Sequence, residues 1–194
     1  MVEKAFGFAP QFCRFFSTLN LRPSAQWYVM ALYAEGAANV ENSPVSGTAI
    51  FLLVEDDPND VVMLEMEFKK VPAPIHMVTV GDGREAMQYL ERTGKYADPI
   101  HSPIPDVILL DLKMPRVSGF EFLEWLRVKA PQHCRLIPVV VMSSSGLRED
   151  VDRAYALGAN SYLVKPVQWA LFKERIQALG IYWAEHVERP TAAG

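Results

Sequence analysis

From Thr48 onward, short apolar runs of strand length alternate with stretches whose apolar residues recur at helical spacing, and most of the connections are short. This alternation is typical of a parallel sheet that is covered by helices on both faces. The predicted strands are residues 49–54, 75–80, 107–111, 137–142 and 161–164. We therefore expect an α/β fold with a doubly wound, five-stranded parallel sheet.

The predicted helices between these strands have recognisable ends. Asp57 suits an N-cap and Pro58 suits the first helical position, so a helix is predicted over residues 58–68. Its Val61, Val62 and Met66 are expected to face the sheet. Further helices are predicted at residues 83–90, 119–129, 147–157 and 168–186.

Residues 1–48 are predicted to be an N-terminal extension that is separate from the main domain. They end in a linker-like segment at residues 42–47 and include a stretch of helical spacing at residues 26–38. A partner-binding helix and a poorly ordered extension both remain open interpretations. The main domain is expected over residues 49–187 and a short C-terminal tail over residues 188–194.

Charge and composition exclude several classes of protein. The formal net charge is -4 and no cluster of Lys and Arg is visible, which argues against nucleic-acid binding. The two cysteines, Cys13 and Cys134, are far apart and indicate reduced thiols. The apolar run at residues 27–34 is too short to span a bilayer, and no signal peptide is recognisable. A cytoplasmic protein without a membrane partner is expected.

Acidic residues follow two of the predicted strands. Asp111 ends the third strand, and Glu55 and Asp56 follow the first strand at the same edge of the sheet, where open α/β sheets bind ligands. Neighbouring carboxylates repel each other, and Mg²⁺ would remove that cost because it prefers oxygen ligands. The simpler interpretation is that the acids at residues 55–57 only cap the following helix. Asp57 is assigned to capping.

Two further polar groups end strands at this edge. Ser143 follows the fourth strand and would place a hydroxyl there, while Ser144 or Ser145 is expected to cap the next helix. Lys165 ends the fifth strand, close enough to pair with Asp111 or with a bound phosphoryl group. The peptide bond before Pro166 is a candidate cis bond, since the cis state is available at low cost only before proline.

Together these positions resemble the receiver domain of two-component response regulators, over about residues 49–187. The residues that carry the resemblance are Glu55, Asp56, Asp111, Pro115, Gly119, Ser143, Tyr162, Lys165 and Pro166. The resemblance implies the flavodoxin-like strand order 2-1-3-4-5.

The resemblance also implies a role for each polar residue of the predicted site. Asp111 matches the phosphoacceptor, Glu55 and Asp56 match the acids that bind Mg²⁺ together with it, and Lys165 matches the base that contacts the phosphoryl group. The chain is then a response regulator that takes a phosphoryl group from a sensor histidine kinase, and it is not an enzyme that turns over a substrate.

The implied conformational switch consists of Ser143, the switch hydroxyl, and Tyr162, the switch aromatic. Ordinary half-buried packing at a sheet edge remains the simpler interpretation of Tyr162. Phosphorylation is expected to shift a two-state population that the face formed by the fourth helix, fifth strand and last helix reports.

Finer features resemble regulators that pair with bacteriophytochrome-type histidine kinases. These features are the long loop at residues 96–105 and the aromatic end of the last helix at residues 181–183. Because few residues follow Lys165, a stand-alone receiver is expected. The apolar stripe of Trp169, Phe172, Ile176 and Trp183 is core by default, but it also suggests homodimerisation through the last helix.

Two alternative functions share parts of this pattern. A receiver-like binding module that is never phosphorylated keeps the fold without the chemistry. An Asp-nucleophile phosphohydrolase of the haloacid-dehalogenase type needs a second Asp two residues after the nucleophile, where this chain has Lys113. That mismatch argues against the hydrolase.

Overall fold

The computed structural model describes residues 47–187, except residues 167 and 169. The predicted helix at residues 26–38, Cys13, Trp169 and the tail at residues 188–194 lie outside the described residues. In the part of the chain that is described, no helix has the length and apolar character needed to cross a membrane.

Five parallel strands form one sheet. They are β1 (Ala49–Val54), β2 (Ile75–Val80), β3 (Val107–Leu110), β4 (Val139–Ser143) and β5 (Ser161–Val164). Their order in the sheet is β2-β1-β3-β4-β5, and every neighbouring pair is parallel. The predicted fold class and strand order are confirmed. The chain adds β2 on one side of β1 and β3 on the other side, and this change of direction creates a crevice at the carboxyl ends of β1 and β3.

Five helices cover the sheet: α1 (Pro58–Phe68), α2 (Gly83–Leu90), α3 (Gly119–Val128), α4 (Arg148–Ala156) and α5 (Ala170–Glu185). Alternate residues of the buried strands point to opposite faces. Phe51 and Leu53 of β1 pack with α1 and α5, whereas Leu52 and Val54 pack with α2, α3 and α4. The prediction of helices on both faces is confirmed.

Three local expectations differ from the structure. Val62 and Met66 of α1 are each 55% exposed, so the prediction that they face the sheet is wrong. Leu64 and Phe68 are buried there instead, because α1 has apolar residues on two stripes and only one stripe reaches the core.

The bond before Pro166 is trans, as are all peptide bonds of the described residues, so the suggested cis bond is also wrong. The fourth strand was predicted over residues 137–142, whereas β4 begins at Val139 and ends at Ser143.

The helices α1 and α5 approach each other closely on one face of the sheet. A Cβ atom on Gly180 would lie 2.8 Å from Cγ2 of Val71, so only glycine permits this distance without a shift. The buried carboxylate of Glu67 accepts hydrogen bonds from Lys70 at 2.8 Å and from Gln177 of α5 at 2.9 Å. Phe172 and Ile176 are fully buried, which confirms the core interpretation of these two residues.

The long connection between α2 and β3 is anchored to α2. The Tyr89 hydroxyl donates to the carbonyl oxygen of Pro103 at 2.6 Å, and the Tyr96 hydroxyl donates to Glu85 at 2.9 Å. Glu85 also pairs with Lys95, which lies in the short 3₁₀ helix Gly94–Tyr96. The connection is therefore tied to α2 at Tyr96 and Pro103, while residues 97–101 between these two ties are exposed.

Candidate functional site

The parallel strands bring three acids together at the carboxyl edge of the sheet. The ladder continues one residue beyond β1 and β3, because the Glu55 N–H donates to Val80 and the Asp111 N–H donates to Val54, each at 3.0 Å. One carboxylate oxygen from each of Glu55, Asp56 and Asp111 lies within 4.8 Å of the others. Glu55 and Asp111 are buried, while Asp56 is exposed to solvent.

Lys165 lies directly after β5 and reaches into this acidic group. Its Nζ donates to Oε2 of Glu55 at 2.6 Å and to Oδ2 of Asp60 at 2.8 Å. Its distance to Oδ1 of Asp111 is longer, at 3.3 Å. The predicted pairing of Lys165 with Asp111 is present as an ion pair, but the ammonium makes its hydrogen bonds to the two other acids.

The loop after β3 orients the Asp111 carboxylate. Its Oδ2 accepts a hydrogen bond from the Lys113 backbone N–H at 2.6 Å. Gly119, which begins α3, packs against the Asp111 backbone so tightly that a Cβ there would lie 2.2 Å from the Asp111 carbonyl oxygen. Ser118 caps α3 through a capping box with Glu121, which fixes the end of this loop.

Burial and charge act in opposite directions on the two central groups. Burial raises the pKa of Glu55 to about 7, and the hydrogen bond and charge of Lys165 offset this only in part. Burial alone would lower the pKa of Lys165, but the charge of Asp111 and the hydrogen bonds to Asp60 and Glu55 outweigh it, so the pKa of Lys165 is raised. The surrounding acids therefore favour the charged form of Lys165.

The donor set fits a hard divalent cation. All three converging groups are carboxylates, and such cations take oxygen ligands. Mg²⁺ usually keeps several water ligands, and the exposure of Asp56 leaves one side of the group open to water. Glu55, Asp56 and Asp111 are thus suitable ligands, and a bound cation would supply positive charge beside the Asp111 carboxylate.

Ser143 and Tyr162 belong to one hydrogen-bonded network beside these acids. Ser143 is fully buried at the end of β4, and its Oγ accepts from the Ser145 N–H at 3.2 Å. The Tyr162 hydroxyl donates to the Ser145 carbonyl oxygen at 2.9 Å. Tyr162 is only 6% exposed, so the interpretation as a half-buried edge residue is wrong for this conformation. Burial raises the pKa of Tyr162.

The start of α4 differs from the prediction. Its N-cap is Leu147, so neither Ser144 nor Ser145 is the cap residue. The Ser145 hydroxyl instead accepts from the Leu147 N–H at 3.4 Å and donates to Asp150 at 2.5 Å. Ser145 therefore ties the loop after β4 to the first turn of α4.

Asp60 is the site residue that sequence reasoning missed. It lies in the first turn of α1, where an acid is normally explained by the helix dipole. The available signal was its position five residues after Glu55, on a helix that starts at the ligand-binding edge. Asp57 caps α1 as predicted, accepting from the Asn59 N–H at 2.8 Å.

The chain belongs to the response regulator receiver family, because the model of the response regulator receiver domain matches residues 51–177. This membership confirms the resemblance noted from the sequence. The chain is a phosphoacceptor signalling receiver of a two-component system, and proteins of this family pair with histidine kinases.

Within this family, the chain is similar to three response regulators that are described as follows. Response regulator Rcp1 of Synechocystis is 33% identical over 143 residues, which are 74% of this chain and 94% of that protein. The structure of the phosphorylated cyanobacterial phytochrome response regulator RcpA has a TM-score of 0.69 and 31% identity, covering 75% of this chain and 100% of that chain. The bacteriophytochrome response regulator AtBRR is 40% identical, with a TM-score of 0.56 and coverage of 73% and 99%.

One structure similar to this chain contains a divalent cation. The Mn²⁺-bound form of response regulator Rcp1 matches with a TM-score of 0.67 and 31% identity, covering 74% of this chain and 99% of that chain. A relative with the same fold therefore binds a divalent cation, and in this chain the carboxylates of Glu55, Asp56 and Asp111 could hold such a cation.

Proposed function

We propose that Asp111 is the residue that accepts the phosphoryl group, and that Lys165, Glu55 and Asp56 support the transfer. The observation that carries this proposal is the position of Asp111. Its buried carboxylate is 3.3 Å from the Lys165 ammonium and lies beside two further acids that suit a divalent cation. The ammonium and a cation at these acids would together offset the charge of a phosphoryl group transferred to Asp111.

The chemistry assigned to Asp111 is an in-line displacement. The Asp111 oxygen that faces Lys165 attacks the phosphorus atom of a phosphohistidine, the new P–O bond forms as the P–N bond breaks, and the imidazole leaves and takes up a proton. Lys113 holds the other carboxylate oxygen through its backbone N–H, so the attacking oxygen is kept in a fixed direction. Lys165 offsets negative charge on the transferred group.

Mg²⁺ is the cation that we assign to Glu55, Asp56 and Asp111. It would neutralise charge on the phosphoryl oxygens, and its preference for water ligands suits the exposed side of Asp56. Because Glu55 has a pKa of about 7 without the cation, cation binding requires loss of a proton from part of the molecules at neutral pH.

The switch that follows is assigned to Ser143 and Tyr162. An aspartyl phosphate places roughly -2 charge at the site, as other phosphorylated side chains do, and a hydroxyl such as that of Ser143 can donate to it. Movement of Ser143 would act on Ser145, whose N–H and carbonyl oxygen bond to Ser143 and Tyr162 respectively. The signal would leave through α4, β5 and α5.

The partner that we propose is a phytochrome-type sensor histidine kinase. Support comes from the similarity to RcpA and AtBRR, which are named as phytochrome and bacteriophytochrome response regulators. We place the receiver domain at residues 49–187, with residues 1–48 as an extension and residues 188–194 as a tail. A cytoplasmic location belongs to this proposal, since the phosphoryl group of such kinases comes from ATP.

Labelling with acetyl phosphate tests Asp111. With Mg²⁺ present, the wild-type protein is expected to gain one phosphoryl group by intact mass, with release of acetate, while Asp111→Asn gains none. Asp152→Asn is the matched control, because Asp152 is exposed and, within residues 47–187, forms an ion pair with Arg148 on the surface of α4. Equal labelling of Asp111→Asn would contradict the assignment, and an unlabelled wild-type protein would favour a binding module.

Homodimerisation through α5 is the second part of the partner proposal. Tyr182 and Trp183 pack edge to face at 5.4 Å near the end of α5 and are partly buried, and aromatic residues are enriched at protein–protein interfaces. Sedimentation velocity over a range of micromolar concentrations should show a dimer that Tyr182→Glu weakens. A wild-type monomer at every concentration, with and without beryllofluoride as a phosphoryl mimic, would contradict this proposal.

A further inference from the structure

We infer that Asp60 is a positioning residue of the phosphoryl site, which keeps the Lys165 ammonium from hydrogen-bonding to Asp111 before transfer. The inference rests on the proposed role of Asp111. Its basis is the observation that Lys165 is 2.8 Å from Asp60 and 2.6 Å from Glu55 in hydrogen bonds, but 3.3 Å from Asp111.

A capping role does not explain the Asp60 carboxylate. An acid at this third helical position often reaches back to the backbone N–H of the N-cap residue in a capping box. Here the Asp57 N–H is 3.4 Å from Oε1 of Glu55, and Oδ2 of Asp60 bonds to Lys165 instead. Asp60 thus uses its carboxylate on a residue that is 105 positions away in the chain.

The contact matters because three carboxylates surround one ammonium. The hydrogen bonds to Glu55 and Asp60 use two of the three donors of the ammonium and fix its position, with Oδ1 of Asp111 further away at 3.3 Å. Without the bond to Asp60, the ammonium would be free to move closer to Asp111. A charged hydrogen bond to Asp111 would stabilise the attacking oxygen before the reaction, so transfer would become slower.

Asp60 also affects how tightly Glu55 is held. Glu55 is one of the three acids that suit a divalent cation, and it shares Lys165 with Asp60. Without Asp60, Lys165 would pair more strongly with Glu55, and Glu55 would be less free to bind a cation. Asp60 is therefore expected to promote both cation binding and phosphoryl transfer without touching the phosphoryl group.

The test compares Asp60→Asn with Asp57→Asn. Both variants remove one negative charge from the same end of α1, and Asn caps a helix about as well as Asp, but only Asp60 bonds to Lys165. Asp60→Asn should slow labelling by acetyl phosphate at saturating Mg²⁺ by about tenfold, consistent with one charged hydrogen bond. Asp57→Asn should stay near the wild-type rate, and Asp60→Glu should recover most of it.

Two readouts are independent of labelling. The Lys165 ammonium signal in NMR spectra should shift in Asp60→Asn and keep its position in Asp57→Asn. Mn²⁺ titration followed by electron paramagnetic resonance should show weaker binding in Asp60→Asn than in Asp57→Asn. An unmoved ammonium signal together with equal Mn²⁺ affinity and equal rates in the two variants would overturn the inference. Because these two readouts need no phosphorylation, they decide about Asp60 even if the assignment of Asp111 fails.

Discussion

Lys165→Met is expected to lower the free energy of unfolding of the cation-free protein by about 3 kcal/mol or more at pH 8, because removing one partner of a buried ion pair leaves the other charge uncompensated. The Lys165 side chain is 13% exposed and that of Glu55 is 2% exposed, so solvent replaces little of the lost interaction. Urea denaturation with and without Mg²⁺ measures the effect. Millimolar Mg²⁺ should restore much of the loss, since the cation supplies positive charge to the same acids.

The pH dependence of this loss has a defined sign. Burial already holds the pKa of Glu55 at about 7 in the folded protein, above its ordinary value of 4.5, and removal of Lys165 raises it further. A raised carboxyl pKa stabilises the folded state below the unfolded pKa, and that stabilisation is lost as the pH rises through the folded pKa. The part of the Lys165→Met deficit that comes from Glu55 should therefore be small at pH 5 and grow as the pH rises through 7.

Lys113→Met is the matched control for Lys165→Met. Lys113 is exposed and contributes its backbone N–H to Asp111, so its stability should change by no more than about 0.5 kcal/mol. A loss in Lys165→Met that is the same at pH 5 and pH 8 and does not respond to Mg²⁺ would mean that packing of the lysine stem, and not its charge, stabilises the site.

Gly119→Ala is expected to slow phosphoryl transfer to Asp111 by about a hundredfold, since a displacement of about 1 Å in a reacting group can have this effect. The added Cβ would lie 2.2 Å from the Asp111 carbonyl oxygen and 2.7 Å from Cα of Leu112, and neither backbone atom can rotate away. A loss of stability of about 1–3 kcal/mol should accompany the change. Acetyl phosphate labelling and thermal denaturation measure the two effects.

Gly146→Ala serves as the control for Gly119→Ala. Gly146 lies in another loop at the same edge, and an added Cβ would meet no atom closer than 3.8 Å, which is ordinary van der Waals contact. Its labelling rate and stability should stay close to those of the wild-type protein. Wild-type labelling in Gly119→Ala would show that the loop after β3 can move without affecting Asp111.

The residues at strand ends were predictable from the sequence. Glu55, Asp111 and Lys165 each follow a buried apolar run, and parallel strands end at a common edge, so their convergence depends only on the strand order. The strand order itself came from the resemblance to a known family. Local pattern identifies strands, but it does not say which strands are neighbours.

The predictions that were wrong or missing concern side chains whose contacts depend on tertiary packing and not on local sequence. Helical spacing allowed two apolar stripes on α1, and the sheet selected the one with Leu64 and Phe68. Asp60 has an adequate local explanation as an acid in a first helical turn, so nothing in the local sequence indicated Lys165 as its partner. Ser145 likewise bonds to Asp150 because of where α4 begins, which the run of serines did not specify.

The two ends of α1 hold different parts of the domain. Asp60 contacts Lys165 near its N-terminus, and Glu67 contacts Gln177 of α5 seven residues later, about two turns or ~10 Å along the axis. Gly180, which has no Cβ, lets α5 lie close to Val71 in the segment after α1. A rise or tilt of α1 would alter both contacts at once, so the charges at the sheet edge and the packing of the last helix are linked through one helix.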